Sequence, residues 1–127
     1  MVVAALGLWV AAYYFFGSFC GNQIVQKLTA PDGRHVAFLF QRDCGATTGF
    51  SSQVSLFPKD AANLPNGPGN IFIADLRGNG PTGYWHGPVV HLRWLDGKAL
   101  EIRYHHSATT HYREKRLGIV QIRYVVD

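Results

Sequence analysis

The chain has 127 residues and 14.1 kDa, enough for one compact unit and too little for a two-domain enzyme with separate cofactor and substrate lobes. Charged residues make up 16% of it, against roughly 25% in an average soluble domain, and all 12 basic and 8 acidic residues lie at or beyond Lys27. The formal net charge of +4 is modest, and no nucleic-acid recognition motif accompanies it, so nucleic acid is not an expected partner.

Residues 2–19, VVAALGLWVAAYYFFGSF, carry no charge, Pro, Asn or Gln. As a helix they would span about 27 Å, close to the roughly 30 Å of bilayer hydrocarbon. Residues 1–20 are therefore expected to form a transmembrane anchor or uncleaved signal. Tyr13, Tyr14, Phe15, Phe16 and Phe19 collect at the end where an aromatic belt meets the headgroups. A cleaved signal peptide is a weaker alternative, because it wants a basic n-region and only Met1 precedes the run. A lipoprotein signal needs a small residue before the lipidated Cys, and Phe19 precedes Cys20. A core helix of a soluble protein is disfavoured by the lack of any polar face.

Two signals disagree on orientation. The first Lys and Arg, Lys27 and Arg34, follow the run, which by the positive-inside rule puts residues 21–127 inside. Cys20 and Cys44 argue the other way, since an isolated pair in a small non-cytosolic domain is more often a disulfide than two free thiols. The expectation adopted is an extracytoplasmic domain, periplasmic or at the cell surface.

From Gln23 onward short runs alternate with turn chemistry. Residues 24–29 and 35–41 flank Ala30-Pro31-Asp32-Gly33, where Pro presets the turn and Gly supplies a positive φ, so a β-hairpin is expected. A strand over 53–57, a solvent-exposed loop over 58–69 and a strand over 70–75 follow. The glycine-rich stretch 76–87 forbids regular structure, and its Tyr84 and Trp85 imply that it folds back on something. Strands over 89–94, 99–105 and 117–126 complete the chain. Val90, Leu92, Trp94, Leu100, Ile102, Tyr104, Val120, Ile122 and Tyr124 share one face, and His91, Arg93, Glu101, Arg103, Gln121 and Arg123 the other. The fold class is all-β: a small antiparallel sandwich or curled sheet of about seven strands.

Ala30 to Phe38, APDGRHVAF, resembles a hairpin that recurs in blades of TolB-like and peptidase-type β-propellers. The resemblance implies a hairpin only, since a propeller needs at least about four blades of roughly 40 residues. Cys20, the Pro31-Asp32-Gly33 hairpin, Arg42 to Phe50 (RDCGATTGF) and Gln53-Val54-Ser55 together resemble a group of small bacterial envelope proteins, many of them described as lipoproteins. That resemblance implies an envelope location and brings no activity; Phe19 departs from its lipoprotein pattern.

The chemistry-bearing residues admit bland and sharp readings. Cys44 is half of a disulfide to Cys20, a buried thiol, or a nucleophile activated by His35 or His91. His86, His91, His105, His106 and His111, with Cys44 or Asp75, would need the fold to assemble a metal site, and consecutive strand residues such as His105 and His106 point to opposite faces. Arg93, Arg103, Arg113, Lys115, Arg116 and Arg123 form a basic surface for an anionic partner, or else pair across strands with Glu101 and Glu114. Tyr84 and Trp85 are a ligand-facing tip or a plug at the open end of the sandwich. No paired carboxylates, phosphate-cradling loop or serine elbow appears, so neither catalytic residues nor a cofactor is expected.

The reading that results is a membrane-anchored extracytoplasmic β-domain acting as a binding or accessory module of a membrane complex or the cell envelope, with a protein partner. Its alternatives are a small Cys/His-dependent hydrolase and a cytoplasmic-facing domain that binds anionic lipid.

Overall fold

The computed structural model describes residues 20–45, 50–61 and 63–127. They form nine strands: β1 (Gly21–Thr29), β2 (His35–Asp43), β3 (Ser51–Pro58), β4 (Phe72–Leu76), β5 (Val90–Asp96), β6 (Ala99–Tyr104), β7 (Ala108–Arg113), β8 (Arg116–Leu117) and β9 (Val120–Val126). The strands make two sheets, ordered β1-β2-β3-β4-β7 and β5-β6-β9-β8. No helix among the described residues is long and apolar enough to cross a membrane, and the run 2–19 expected to do so lies outside them.

Both expected hairpins form, each around an Asp. In the β1–β2 turn Gly33 has φ 73°, its N–H donates to the Ala30 carbonyl at 2.9 Å, and the Arg34 N–H donates to Asp32 Oδ1 at 3.0 Å. In the β5–β6 turn the Lys98 N–H donates to Asp96 Oδ1 at 2.7 Å. The two turns belong to different sheets yet abut: a Cβ on Gly97 would stand 2.3 Å from Asp32 Oδ2, so a side chain there would have to displace the Asp32 carboxylate. Nearby, Trp94 Nε1 on β5 donates to the Leu28 carbonyl on β1 at 2.9 Å, tying one sheet to the other.

Between the sheets lies one core. Ala37, Leu39, Val54, Leu56, Phe72 and Ala74 meet Val90, Leu92, Leu100, Ile102, Tyr104, Val120 and Ile122. The alternation read from the last three strands is therefore the true in-and-out pattern.

The structure departs from the expected architecture in four places. First, the described strands number nine where about seven were expected, because β7 lies in what reads as a connection and the expected 117–126 strand divides into β8 and β9. Thr109, Thr110 and Tyr112 have good strand propensity, but β7 is a half-exposed edge strand with no apolar alternation to reveal it. Second, the sheets are not wholly antiparallel: β9 runs parallel to β6. After β6 the chain crosses to β4 as β7, which carries it back along the sandwich, so β9 starts at the end where β6 started. Third, β6 stops at Tyr104, leaving His105 and His106 beyond the strand.

The fourth departure is the loop over 58–69, which is exposed over most of its described residues, as expected, but also covers the sheet face through Ala61 and Leu64. Val36, Phe38 and Phe40 point away from the main core and are packed by Phe57, Ala61 and Leu64. Polar latches hold the cover down. Asn22 Nδ2 donates to the Gly67 carbonyl at 2.8 Å, and Arg42 Nη1 donates to Asn22 Oδ1 at 2.8 Å and Asn66 Oδ1 at 3.0 Å. The Asn70 amide accepts from the Leu56 N–H at 2.7 Å and donates to its carbonyl at 2.9 Å, standing in for the peptide of a neighbouring strand.

Cys20 and Cys44 are joined by a disulfide, their Cα atoms 3.9 Å apart, one step beyond the Gly21↔Asp43 pair of β1 and β2. The bond bridges a sequence separation of 24 residues, for which loop-closure entropy gives about 3 kcal/mol. Cys44→Ser is expected to lower the unfolding free energy by about that amount in a urea titration. Reductant should lower the native chain equally and leave the variant unchanged.

Candidate functional site

Sheet register sorts the chemistry-bearing residues to the two ends of the sandwich and one groove. The start of β1, the end of β2, the start of β3 and the end of β4 share one end with the disulfide, as Gly21↔Asp43 and Ser51↔Asp75 require. The β1–β2 and β5–β6 turns share the other.

On the outer face of the five-stranded sheet, a groove of about 240 Å³ is lined by Arg42, Cys44, Ser51, Gln53, Pro68, Ile73, Asp75 and His111. His111 Nε2 and Asp75 Oδ1 are 2.9 Å apart across β7 and β4. The fold thus brings Asp75, His111 and Cys44 to one groove, as no spacing in the chain suggests. It does not make them a catalytic set. The Cys44 sulfur is bonded to Cys20 and offers no thiolate. His35, a candidate base, lies at the opposite end of β2, roughly 26 Å away at 3.3 Å per residue, and His91 is on the exposed face of the other sheet. The Ser51 hydroxyl donates to the Arg42 carbonyl at 3.0 Å and accepts from Gln53 Nε2 at 2.9 Å, serving the strand and not the histidine.

No group of three His, Cys, Asp or Glu side chains among the described residues is placed to hold a metal ion. His105 and His106 do not point to opposite faces; beyond the strand their rings stack at 4.1 Å. Their ring nitrogens have opposite roles. His105 Nδ1 accepts from the Ser107 N–H at 3.1 Å, whereas His106 Nδ1 lies 2.8 Å from the Asp127 carbonyl, to which it can only donate. His105 Nδ1 also lies 2.8 Å from the Ser107 hydroxyl.

The six basic residues of the expected anionic-partner surface divide by neighbourhood. Glu101 lies 3.2 Å from Arg93 and 3.9 Å from Arg103, and Arg103 also reaches Asp127 at 2.8 Å. Arg113 is stacked 4.5 Å over the Tyr124 ring and donates to the Tyr104 hydroxyl. Lys115, Arg116 and Arg123 make no ion pair among the described residues, and Lys98, which sequence reasoning passed over, joins them. Lys98, Arg116, Arg123, Asp96, Gln121 and Ile119 line a concavity of about 400 Å³ at the end away from the disulfide. Lys98 was hidden because its neighbours come from β8 and β9, distant in the chain.

Tyr84 and Trp85, adjacent in sequence, separate. Trp85 is 8% exposed and belongs to the core, with its Nε1 donating to Ser52 Oγ at 2.8 Å. Ser52 Oγ donates onward to the Pro88 carbonyl, and Gln41 Nε2 donates to the Trp85 carbonyl. Trp85 is thus the plug at the disulfide end. Tyr84 stays 73% exposed beside it.

No family model, curated protein or solved structure matches the chain.

Tyr124 closes the inter-sheet seam. Its hydroxyl donates to the Glu114 carbonyl at 2.6 Å and approaches the Ile71 carbonyl at 3.2 Å. Burial raises its pKa well above the ordinary 10.0, against the smaller lowering effect of the Arg113 charge. The folded chain therefore keeps this proton while the unfolded chain releases it near pH 10, so the contribution is intact below pH 10 and is lost as pH rises beyond. Tyr124→Phe is expected to cost about 1 kcal/mol at neutral pH through its hydrogen bonds. It should also flatten the alkaline fall, so that stability curves of the two proteins converge above pH 10 in denaturant titrations.

Proposed function

We propose that the chain is a membrane-tethered, extracytoplasmic β-domain that serves as a binding or accessory module of a membrane complex or the cell envelope, presenting its basic end to an anionic protein partner. The observation that carries the reading is the Cys20–Cys44 bond. Disulfides persist in oxidising compartments, and this one sits directly after the apolar run 2–19, at the first residues of the β-domain. An anchor in that run would hand the chain straight to the disulfide end.

The same geometry favours a partner over anionic lipid for the basic end. β1 leads from Gly21 to Thr29, carrying the chain roughly 26 Å from the disulfide to the opposite end. Lys98, Arg116 and Arg123 lie at that opposite end. At physiological ionic strength the screening length is about 8 Å, so headgroups around the tether would attract these residues only weakly. Exposed Ile119 within the patch supplies apolar contact suited to a protein surface.

Labelling with a membrane-impermeant maleimide, before and after reduction, tests the placement. Intact cells are expected to label only after reduction; labelling that requires broken membranes would put the domain inside and end this reading. Poly-L-glutamate probes the basic end by calorimetry at low salt. Arg116→Ala and Arg123→Ala are each expected to weaken its binding several-fold and reduce its salt dependence, while Arg93→Ala, already neutralised by Glu101, leaves both nearly unchanged.

A further inference from the structure

We propose that the groove on the outer face of the five-stranded sheet is a binding site for a neutral pyranoside, the sugar unit of a glycan. The site is separate from the basic end and needs neither that end nor a membrane. Its floor follows from register. Phe40, Gln53, Ile73 and Tyr112 are successive partners across β2, β3, β4 and β7, and Ser51 faces Asp75 two residues along. Consecutive residues of a strand point to opposite faces, yet His111 and Tyr112 both line the groove. The cause is a bulge in the β4–β7 pair. Ile73 partners Tyr112 and Ala74 partners Thr110, so His111 is the extra residue, and a bulge re-aims the side chain it carries. There His111 Nε2 meets Asp75 Oδ1 at 2.9 Å.

Two hollows run together at this point. The one of about 240 Å³ is bordered by Ser51, Gln53 and Asp75, and a second of about 460 Å³ by Gly69, Asn70 and Tyr112; Pro68, Ile73 and His111 belong to both. The larger hollow is within the roughly 300–1,000 Å³ of ligand clefts. Its walls are set in advance: the Gly69 N–H donates to Gln53 Oε1 at 2.7 Å, the Asn70 amide is bonded both ways to Leu56, and the Tyr112 hydroxyl donates to Glu114. Tyr112 nonetheless stays 40% exposed, a fixed ring with surface to offer. The lining selects the ligand. No carboxylate, lysine or arginine among the described residues lines the larger hollow, Asp75 is engaged by His111, and Arg42, in the smaller hollow, is turned to the Asn22 and Asn66 oxygens. What remains is an apolar surface from Pro68, Ile73 and the Tyr112 ring, bordered by Asp75 Oδ2 and His111 Nδ1, neither of which has a bond among the described residues. A pyranose matches that combination. Its ring faces carry C–H groups that pack on the negative face of an aromatic ring, and its rim hydroxyls both donate and accept, as a carboxylate oxygen and an imidazole nitrogen require.

The test uses the full chain in a zwitterionic detergent that carries no sugar, with the side-chain NMR signals of Ile73, His111 and Tyr112 as the readout. The probes are tetraoses of α- and β-linked glucose, mannose and N-acetylglucosamine, their monosaccharides, and N-acetylphenylalanine as an anion with an aromatic body. At least one sugar is expected to shift these three signals saturably at millimolar concentration while those of Lys98 and Arg123 stay still. A tetraose that binds more tightly than its monosaccharide assigns a glycan chain, equal binding assigns a single sugar, and either upholds the proposal. Tyr112→Ala and Asp75→Asn should each weaken binding several-fold, whereas Tyr112→Phe, which keeps the ring, should stay within about twofold; unchanged signals from β5 and β6 verify that each variant is folded. Failure of every sugar to move the three signals, or binding that survives Tyr112→Ala, overturns the proposal. Tighter binding of N-acetylphenylalanine than of any sugar also overturns it and gives the groove to an acid held by Arg42.

Discussion

A strand buried on both faces has to be covered twice, and β2 imposes that demand on the rest of the chain. Its residues from Val36 to Gln41 are all buried, with Ala37 and Leu39 facing one way and Val36, Phe38 and Phe40 the other. The first set calls for a second sheet, which β5, β6 and β9 provide. The second set calls for a cover on a face that a simple sandwich leaves wet, and the 58–69 segment meets it with Ala61 and Leu64. Each large side chain buried in this way contributes about 1.5–3 kcal/mol. Fixing a loop on top of them costs backbone entropy of about 1–2 kcal/mol per residue. The hydrogen bonds from Asn22, Arg42 and Asn70 hold that segment on the sheet face and satisfy polar groups which the covering would otherwise strand.

This arrangement gives the two ends of the sandwich different characters. At the disulfide end polar groups are consumed internally: Ser52 serves Trp85 and Pro88, Gln41 serves the Trp85 carbonyl, and Asp127 serves Arg103. Phe50, Arg77 and His86 remain exposed there. At the other end Lys98, Arg116 and Arg123 line a concavity with Asp96, whose Oδ1 is already engaged by a backbone N–H. On the outer face of the four-stranded sheet Glu101 sits between Arg93 and Arg103, with Arg123 as its register partner on β9.

How much was legible in the chain depended on how near in sequence each interaction was made. Pro31-Asp32-Gly33 and Asp96-Gly97 announced their hairpins because a turn's requirements are met within about four residues. Alternation over the last three strands gave their faces for the same reason. The cover over β2 left only a faint trace, an apolar run from Val36 to Phe40 that does not alternate, which is what a doubly buried strand looks like. The pairing of His111 with Asp75 left none, because it depends on β7 joining β4 across 36 positions of chain. Arg113 was equally opaque: nothing in Tyr112-Arg113-Glu114 says that its guanidinium lies on the Tyr124 ring.

The sequence by itself determined the all-β class, both hairpins and the inward faces of β5, β6 and β9, since these follow from turn chemistry and period-two alternation; of the readings it left open for Cys44, the structure selected the disulfide to Cys20. Tertiary structure alone decided the parallel placement of β9, the cover on the outer sheet face, the parting of Tyr84 from Trp85, and which arginines stay unpaired. Each of those is set by side chains meeting from elements far apart in the chain, where burial and charge neutralisation are settled by which surfaces the packed sheets bring together.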